Sequence, residues 1–246
     1  MRVDQLLVQR GLFPSREKAR RSIMAGQVLV DGQRVDKPGT AVGEAVAVEV
    51  KGNTEPFVSR AGRKLDGALD HFGIAAAGRI CLDVGASTGG FTDCLLQRGA
   101  EKVYAVDVGY NQLDYRLRTD PRVVVMERVN ARYLEPDQLP ERASLCVVDV
   151  SFISLTKVVP ALVPLLDTGA DLVPLIKPQF EAGREAVGKG GIVRDEEVRR
   201  RVIDERVGDI ERLGFTVRDV IDSGVAGVGG NVEALAHFVR DEGVVS

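Results

Sequence analysis

The sequence lacks tryptophan and is poor in several residues that often carry chemistry, with 3 cysteines and 2 histidines among 246 residues and an aromatic content of only 5%. The cysteines, Cys81, Cys94 and Cys146, are widely spaced and each lies in an apolar context. That spacing fits neither a disulfide framework nor a set of metal ligands, so we expect buried thiols and no metal site. The two histidines, His71 and His237, are far apart in the sequence, so a histidine-based triad is poorly supported.

Long apolar segments are also missing. The longest apolar stretch, 158–166, is about half as long as a membrane span and contains two prolines, which excludes a transmembrane helix there. The first residues lack the apolar core of a signal peptide, so we expect a cytoplasmic protein. Hydrophobic residues make up 44% of the chain and charged residues 28%, which is typical of a soluble globular protein of one or two domains.

Charge is unevenly distributed along the chain, whose formal net charge is −3. The chain has 33 basic and 36 acidic residues. Residues 1–64 contain 12 basic and 7 acidic residues, a balance of +5, and the remainder contains 21 basic and 29 acidic residues, a balance of −8. A basic segment on an acidic chain is typical of a local contact with nucleic acid or another anionic surface. A solvated basic face would give the same counts, so both interpretations stay open here.

The first 51 residues predict a small α+β domain. Gly11 is a usual residue after a helix end, Ser15 is a good helix N-cap, and Asp31-Gly32 is a strong signal for a tight hairpin. Two helices, the hairpin and a further strand are expected at 4–10, 16–24, 28–35 and 46–50. The segment 52–56 has the composition of a linker.

From residue 57 to residue 246 the pattern alternates between strands and helices, which predicts an α/β domain with a mostly parallel, doubly wound sheet. Strands are predicted at 80–84, 102–106, 122–126, 145–149, 171–176, 215–221 and 235–240. Helices are predicted at 60–72, 89–98, 153–166 and 195–213. Because the last two strands leave no room for a helix between them, we expect the sheet to end with an antiparallel edge strand.

The glycine-rich turn after the first strand of this domain predicts a cofactor site. Small residues at 85–91 let a ligand approach the backbone, and the following helix start favours a negatively charged group. Asp107 ends the next strand, where a carboxylate can accept hydrogen bonds from both hydroxyls of a ribose. The spacing Gly-x-x-x-Gly-Gly disfavours a nicotinamide dinucleotide and favours an adenosine-type cofactor without a pyrophosphate. A turn that serves only packing is the structural alternative.

A second glycine-rich segment, 183–190, nearly matches a phosphate-binding P-loop. Gly190 stands where that motif needs a Ser or Thr to hold magnesium, and the segment follows Pro178-Gln179-Phe180-Glu181 rather than a first buried strand. We interpret it as a mobile loop that could help to cover a substrate.

Charged residues follow two apolar strands at the point where each strand ends. Asp149 follows 145–148, and Lys177 follows 172–176. In an open α/β sheet, ligands bind outside the carboxyl ends of the strands, so both residues are expected at the cofactor crevice. Lys64 lies on the first helix of the domain and Glu233 follows a glycine-rich turn, and spacing alone does not show that the four converge.

Taken together, these motifs resemble the TlyA family of ribosomal-RNA 2′-O-methyltransferases, sometimes called hemolysin A. Residues 1–50 resemble an S4 RNA-binding domain and residues 57–246 an FtsJ-type, Rossmann-like methyltransferase domain. The matching motifs occur in the family's order, at Ser59-Arg60-Ala61-Gly62-Arg63-Lys64-Leu65, Asp83-Val84-Gly85-Ala86-Ser87-Thr88-Gly89-Gly90-Phe91, Val148-Asp149-Val150-Ser151-Phe152, Ile176-Lys177-Pro178-Gln179-Phe180-Glu181 and Asn231-Val232-Glu233.

The resemblance implies transfer of a methyl group from S-adenosylmethionine, without a metal, to a cytidine ribose of ribosomal RNA. The expected substrate is 23S rRNA of the large subunit, and 16S rRNA is a second candidate. The implied catalytic tetrad is Lys64, Asp149, Lys177 and Glu233. The implied cofactor-binding residues are Asp83, Gly85, Ala86, Ser87, Thr88, Gly89, Gly90, Phe91, Asp107, Asn130, Ala131 and Asp149. For RNA contacts we select the basic residues Arg2, Arg16, Lys18, Arg20, Arg21, Lys37, Arg60 and Arg63.

An alcohol is a weak nucleophile at neutral pH, so attack by a ribose hydroxyl needs a positioned base or a charge that stabilises the forming alkoxide. Our hypothesis is that Lys177 accepts the hydroxyl proton and that Asp149 orients it. Lys64 would then stabilise the alkoxide, and Glu233 would hold the lysines in place.

Three other functions remain as alternatives. A membrane-lytic hemolysin is disfavoured because no spanning or lipid-seeking amphipathic segment is recognisable. A nicotinamide oxidoreductase is disfavoured by the glycine spacing. A noncatalytic ribosome-assembly factor is disfavoured because all four tetrad residues are present. The oligomeric state is not readable from the sequence.

Overall fold

The computed structural model describes residues 1–13, 15–51, 55–188, 190–225 and 227–242. The chain divides into two compact units, Met1–Glu55 and Pro56–Ser246. Most of the predicted linker, residues 52–54, lies outside the described residues.

The first unit contains two helices and a three-stranded antiparallel sheet. The helices are α1 (Val3–Gln9) and α2 (Arg16–Met24), and the strands are β1 (Val28–Val30), β2 (Gln33–Val35) and β3 (Val48–Val50), in the order β2-β1-β3. The side chain of Ser15 accepts a hydrogen bond from Lys18 N and caps α2, as predicted. Apolar residues of both helices and of β1 form its core, namely Val3, Leu7, Ala19, Ile23, Val28 and Val30.

The second unit is built on a seven-stranded sheet. Its strands are β4 (Ile80–Val84), β5 (Lys102–Asp107), β6 (Val123–Glu127), β7 (Ala143–Val148), β8 (Leu166–Ile176), β9 (Phe215–Asp222) and β10 (Ala234–Arg240). Their order is β6-β5-β4-β7-β8-β10-β9. The edge strand β9 pairs antiparallel with its neighbour, as expected, and β10 is the strand whose direction is reversed, since it pairs antiparallel with both β8 and β9.

Helices cover both faces of this sheet. They are α3 (Ala61–Phe72), α4 (Gly90–Gln97), α5 (Tyr115–Arg118), α6 (Leu155–Leu162), α7 (Pro178–Glu181) and α8 (Glu196–Glu211). Successive residues of a strand face opposite sides of a sheet. Accordingly, Leu82 joins a core cluster with residues of α6 and α8, whereas its neighbour Cys81 joins a cluster with residues of α3 and α4. Together with the alternating pattern, this gives the doubly wound architecture that the sequence predicts.

The three cysteines are buried and free, as predicted. Burial raises the pKa of the Cys81 thiol and of the Cys94 thiol to about 12. Among the residues that the structure describes, no three His, Cys, Asp or Glu side chains form a cluster that could hold a metal ion. None of the helices in this described part of the chain combines the length and the hydropathy needed to cross a bilayer.

Candidate active site

The backbone after β4 makes the turn that the glycines predict. Gly85 has a φ of +88°, and the N–H groups of Gly85 and Ala86 both donate to the carbonyl of Val106. A Cβ atom on Gly85 would lie 2.5 Å from the carbonyl oxygen of Asp149, so only glycine fits here. The turn therefore brings the end of β4 against the end of β7, and α4 begins immediately beyond it at Gly90.

Asp107, at the end of β5, is held by two backbone hydrogen bonds. Its Oδ2 accepts from Ser87 N at 2.7 Å, and its Oδ1 accepts from Gly109 N at 2.6 Å. A carboxylate oxygen can accept more than one hydrogen bond, so both oxygens keep capacity for a ligand. The two contacts fix the carboxylate beside the glycine-rich turn, where the sequence places a ribose acceptor.

Two cavities adjoin the turn. The larger, of about 480 Å³, is lined by Gly85, Ser87, Asp107, Val108, Gln112, Val129, Asn130, Ala131, Asp149, Val150, Ser151, Phe152, Ile153 and Val158. The smaller, of about 150 Å³, is lined by Ser59, Ala61, Gly85, Ala86, Ser87, Thr88, Gly90, Phe91, Asp149, Ser151 and Lys177. Both cavities share Gly85, Ser87, Asp149 and Ser151, so one elongated ligand could occupy both.

Ten of the twelve predicted cofactor residues line one of these cavities. The other two are Asp83 and Gly89. Gly89 is the N-cap of α4 and has a φ of +95°. Asp83 is fully buried on β4, where it accepts a hydrogen bond of 2.6 Å from the Thr92 hydroxyl, and burial raises the pKa of its carboxyl to about 7. It thus joins the strand to α4 beneath the turn.

The four charged residues of the predicted tetrad form two ion pairs. Lys177 Nζ forms an ion pair with Asp149 Oδ1 at 2.6 Å and donates a hydrogen bond of 2.9 Å to Ser151 Oγ. Lys64 Nζ donates to Glu233 Oε2 at 2.6 Å. The side chains of Lys64 and Glu233 are only 10% and 3% exposed, so this pair is largely shielded from water.

The pairing of β8 with β10 brings the two ion pairs together. Ala234 lies opposite Ile176, so the preceding Glu233 and the following Lys177 leave the two strands at the same point. Gln179 connects them further, because its side-chain amide donates to Glu233 Oε1 at 2.8 Å. Of the four charged residues, Lys177 and Asp149 line the small cavity, and Lys64 and Glu233 adjoin them through this strand register.

Three polar residues at the site were not assigned from the sequence. Ser151 accepts from Lys177, Gln179 donates to Glu233, and Asn231 ties the segment before β10 to 191–193. In the last case, Asn231 Oδ1 accepts from the backbone N–H of residue 193 at 3.0 Å. All three lie inside the motifs that carry the family resemblance, each two residues from a predicted catalytic residue, and this was the signal that could have found them.

The aromatic side chain of Phe152 lines the larger cavity. Phe152 is 89% exposed, has a φ of +64° and contacts Phe180 with ring centroids 4.8 Å apart. A positive φ is unusual for a bulky residue and marks a position that the surrounding structure holds in place. The result is an apolar ring presented to solvent beside Asp149 and Ser151.

The predicted RNA-contact residues differ in their surroundings. Arg2 and Arg16 both bind the buried carboxylate of Asp4, at 3.0 Å and 3.2 Å, and the Arg2 guanidinium holds the pKa of Asp4 below its usual value. Their charges are therefore partly neutralised within the domain. Arg21 pairs with Glu17 and stays exposed, and Arg63 is half-buried. Lys18, Arg20, Lys37 and Arg60 are also exposed, and among the described residues they form no ion pair.

The segment that resembles a P-loop has a different structure. Arg184–Ala186 forms a short 3₁₀ turn, and Gly188 makes an isolated antiparallel bridge with Ile192. Lys189 lies outside the described residues. The segment follows helix α7 rather than a strand, as its sequence context indicated.

Comparison with known families identifies the class of protein. Residues 57–240 match the model of the FtsJ-like methyltransferase family, and residues 1–47 match the S4 domain. The chain therefore belongs to the FtsJ-like methyltransferase family and carries an N-terminal S4 domain.

Individual relatives narrow the comparison to the TlyA group. The chain is 52% identical over 233 residues to the 16S/23S rRNA (cytidine-2′-O)-methyltransferase TlyA of Mycobacterium tuberculosis, a match that covers 94% of this chain and 87% of that protein. It is 46% identical to Hemolysin A of Brachyspira hyodysenteriae over 97% of this chain and 100% of that one. A solved structure from Streptococcus thermophilus, provisionally named a hemolysin, has a TM-score of 0.77 and 45% identity, and covers 98% of this chain and 89% of its own.

Proposed function

We propose that this protein transfers a methyl group from S-adenosylmethionine to the ribose 2′-oxygen of a cytidine in ribosomal RNA. The observation that carries the proposal is the Lys177–Asp149 ion pair in the wall of the small cavity, which shares Gly85, Ser87, Asp149 and Ser151 with the larger one. The candidate base, Lys177, contacts Asp149 and Ser151, which line both cavities. The FtsJ-like domain supports the reaction class, and the S4 domain supports RNA as the substrate.

The two cavities fit the two halves of this cofactor. In the larger cavity, the carboxylate of Asp107 would accept the ribose hydroxyls, and Asn130 and Ala131 would border the adenine. In the smaller cavity, Ser87, Thr88 and the start of α4 would hold the methionine part. Asp149 Oδ1, which has no hydrogen-bond partner in the described structure, would accept from the methionine amine.

When bound, the cofactor supplies an electrophilic methyl group. The ammonium of Lys177 first releases one proton to solvent. Its neutral amine then accepts the proton of the attacking hydroxyl, and Asp149 and Ser151 fix the direction of its side chain. Lys64 adds positive charge that favours the forming alkoxide, while Glu233 and Gln179 hold Lys64 in position. Much of the rate acceleration would come from this positioning, since effective molarities of oriented groups are on the order of 10⁵–10⁸ M.

The exposed ring of Phe152 gives the target nucleotide a surface on which to stack. Enzymes that act on a nucleotide in structured RNA draw it out of its helix, and unstacked bases bind to aromatic side chains. We propose 23S rRNA of the large subunit as the substrate, with 16S rRNA as a second one, because the Mycobacterium tuberculosis relative is named for both.

Mapping of methylated riboses by mass spectrometry tests this proposal. Purified protein and S-adenosylmethionine are added to separated subunits and to free 23S and 16S rRNA, and we expect a new 2′-O-methylcytidine in 23S rRNA. The variant Lys177→Met should lower the rate by a factor on the order of 10²–10⁴, the usual contribution of a positioned base, while still binding the cofactor. Lys157→Met, which removes an exposed lysine on α6, is the matched control and should react like the wild type.

Turnover at the wild-type rate by folded Lys177→Met with bound cofactor would contradict the assignment of the base. The absence of RNA methylation by wild-type protein would contradict the proposed function itself. The relative named Hemolysin A makes dye release from liposomes a useful parallel assay, in which release without RNA methylation would favour the lytic alternative.

A further inference from the structure

The segment 108–133, which runs from the end of β5 through α5 and β6, has an excess of arginine that its own acids do not balance. It contains five arginines and three acidic residues. Each acid binds one arginine, and the pairs are Arg116–Asp114, Arg118–Glu127 and Arg122–Asp120. Two arginines, Arg128 and Arg132, remain.

These two side chains form cation–π contacts with tyrosines instead of binding carboxylates. Arg128 Cζ lies 4.0 Å from the centroid of the Tyr110 ring, and Arg132 Cζ lies 5.4 Å from that of Tyr133. Tyr110 is 63% exposed and Tyr133 67% exposed, and both arginines are exposed. Within the described part of the chain, neither guanidinium contacts an acid, so each keeps its charge and its N–H donors for a partner in solution.

The backbone holds the first of these cation–π pairs in place. Arg128 N donates to Gly109 O at 3.0 Å, which sets Arg128 beside Tyr110. Arg128 also has a φ of +59°, a conformation that non-glycine residues rarely adopt. Strain of this kind persists where the surrounding structure enforces it, often at sites of function.

Both pairs flank the larger cavity. Residues 129–131 lie between Arg128 and Arg132, and all three line that cavity. Phe152 lines it as well. The rim of the candidate cofactor site therefore presents two unpaired cations and three exposed aromatic rings.

We propose that the Arg128–Tyr110 and Arg132–Tyr133 pairs form a second RNA-contact surface, on the methyltransferase unit itself, which binds the single-stranded nucleotides next to the methylated one. The inference rests on the proposed function. Guanidinium groups bind phosphate oxygens through paired N–H donors, and exposed aromatic faces accept unpaired bases. The charge of the surface is complementary to RNA although the unit as a whole is acidic.

The test uses the double variant Arg128→Gln/Arg132→Gln of the full chain and its binding to protein-free 23S rRNA at 50 to 200 mM salt. Loss of two phosphate contacts should reduce the magnitude of the slope of log affinity against log salt concentration by about 1.4. Between 50 and 200 mM salt, the affinity of the wild type should therefore fall by a factor roughly sevenfold larger than that of the variant. Affinity for S-adenosylmethionine, measured by calorimetry, should not change. The control Arg116→Gln/Arg122→Gln removes the same charge from the same segment, from arginines that bind acids, and should keep the wild-type slope.

An unchanged slope in the double variant, or a loss of cofactor affinity, would overturn the proposal. Weaker binding to intact subunits with unchanged binding to free rRNA would also overturn it, in favour of a ribosomal protein as partner. The binding assay does not depend on turnover, so it tests this surface separately from the proposed function. If the wild type and the double variant differ in slope as expected but the wild type methylates no RNA, the proposed function is refuted and the proposed RNA-contact surface is still supported.

Discussion

Replacement of Asp83 by asparagine should make the protein's stability less dependent on pH. The Asp83 carboxyl is fully buried; Oδ2 accepts from the Thr92 hydroxyl, and Oδ1 has no hydrogen-bond partner in the described structure. Burial raises its pKa from 3.8 to about 7, and the negative charge of Asp149 adds to the effect. At pH 8 the folded protein therefore holds an ionised carboxylate in an apolar environment.

The sign of the effect follows from proton linkage. A carboxyl whose pKa is higher in the folded state binds its proton more tightly there than in the unfolded state. Its contribution to the free energy of unfolding is therefore complete below about pH 4 and is lost as the pH rises through 7. One pKa unit corresponds to about 1.4 kcal/mol, so a rise of about three units corresponds to roughly 4 kcal/mol. About 3 kcal/mol of this is lost between pH 5 and pH 8.

Urea unfolding followed by circular dichroism at pH 5 and pH 8 measures this difference. Asparagine keeps an acceptor for Thr92 and does not ionise, so the stability of Asp83→Asn relative to wild type should increase by about 3 kcal/mol between the two pH values. Any fixed packing cost of the amide cancels in this comparison. Asp204→Asn, at an exposed position on α8, is the control and should show the same relative stability at both. A constant difference for Asp83→Asn would refute the argument that burial keeps this carboxyl protonated near neutrality.

Two further substitutions test the geometry of the site. Gly85→Ala places a Cβ 2.5 Å from the Asp149 carbonyl oxygen, at a residue with a φ of +88°. It should lower the free energy of unfolding, measured by chemical denaturation, by about 2–4 kcal/mol. It should also weaken cofactor binding, measured by calorimetry, at least tenfold. Gly73→Ala is the control for backbone strain, because Gly73 has a φ of +67° but a Cβ there would meet nothing within 4 Å. It should lower the free energy of unfolding by only about 1 kcal/mol and leave cofactor binding intact. Equal effects of the two substitutions would contradict the steric argument. Gln179→Met removes the hydrogen-bond donor to the buried Glu233. It should lower the rate of single-turnover methylation about tenfold and shift the pH–rate profile, with unchanged cofactor affinity. If the variant lost only stability, Gln179 would have a structural role and no part in positioning the catalytic residues.

The regular elements could be predicted because local patterns determine them. The strands at 80–84 and 102–107 are apolar runs that end at glycine or acid, and their predicted bounds are within one residue of the observed ones. The start of β8 was predicted five residues too late, since Asp167-Thr168-Gly169 has the composition of a turn and yet continues the strand. The helix predicted at 153–166 ends as an α-helix at Leu162, because Pro164 lies in a following 3₁₀ turn.

The pairing within the site could not be predicted in the same way. Lys64 and Glu233 are 169 positions apart and touch only because β10 inserts, reversed, between β8 and β9. No local pattern encodes that strand order, so spacing left the partner of each charge open. For the arginines predicted to contact RNA, the sequence identifies the charge but not the partner. Only the structure shows that Arg2 and Arg16 bind Asp4, which distinguishes them from arginines without an acidic partner.

Stability alone is a poor explanation for the two ion pairs. Removing a lysine and a carboxylate from water costs several kcal/mol, so a buried pair often contributes no more to folding than apolar residues of the same size. The Lys64 and Glu233 side chains are nearly excluded from solvent, and the chain adds Gln179 to satisfy the second Glu233 oxygen. Lys177 is likewise held by both Asp149 and Ser151 at a cavity wall. An arrangement that fixes two lysine side chains in this way, at little net gain in folding free energy, is better explained by the roles proposed above: one lysine supplies positive charge, and the other, once deprotonated, accepts the hydroxyl proton.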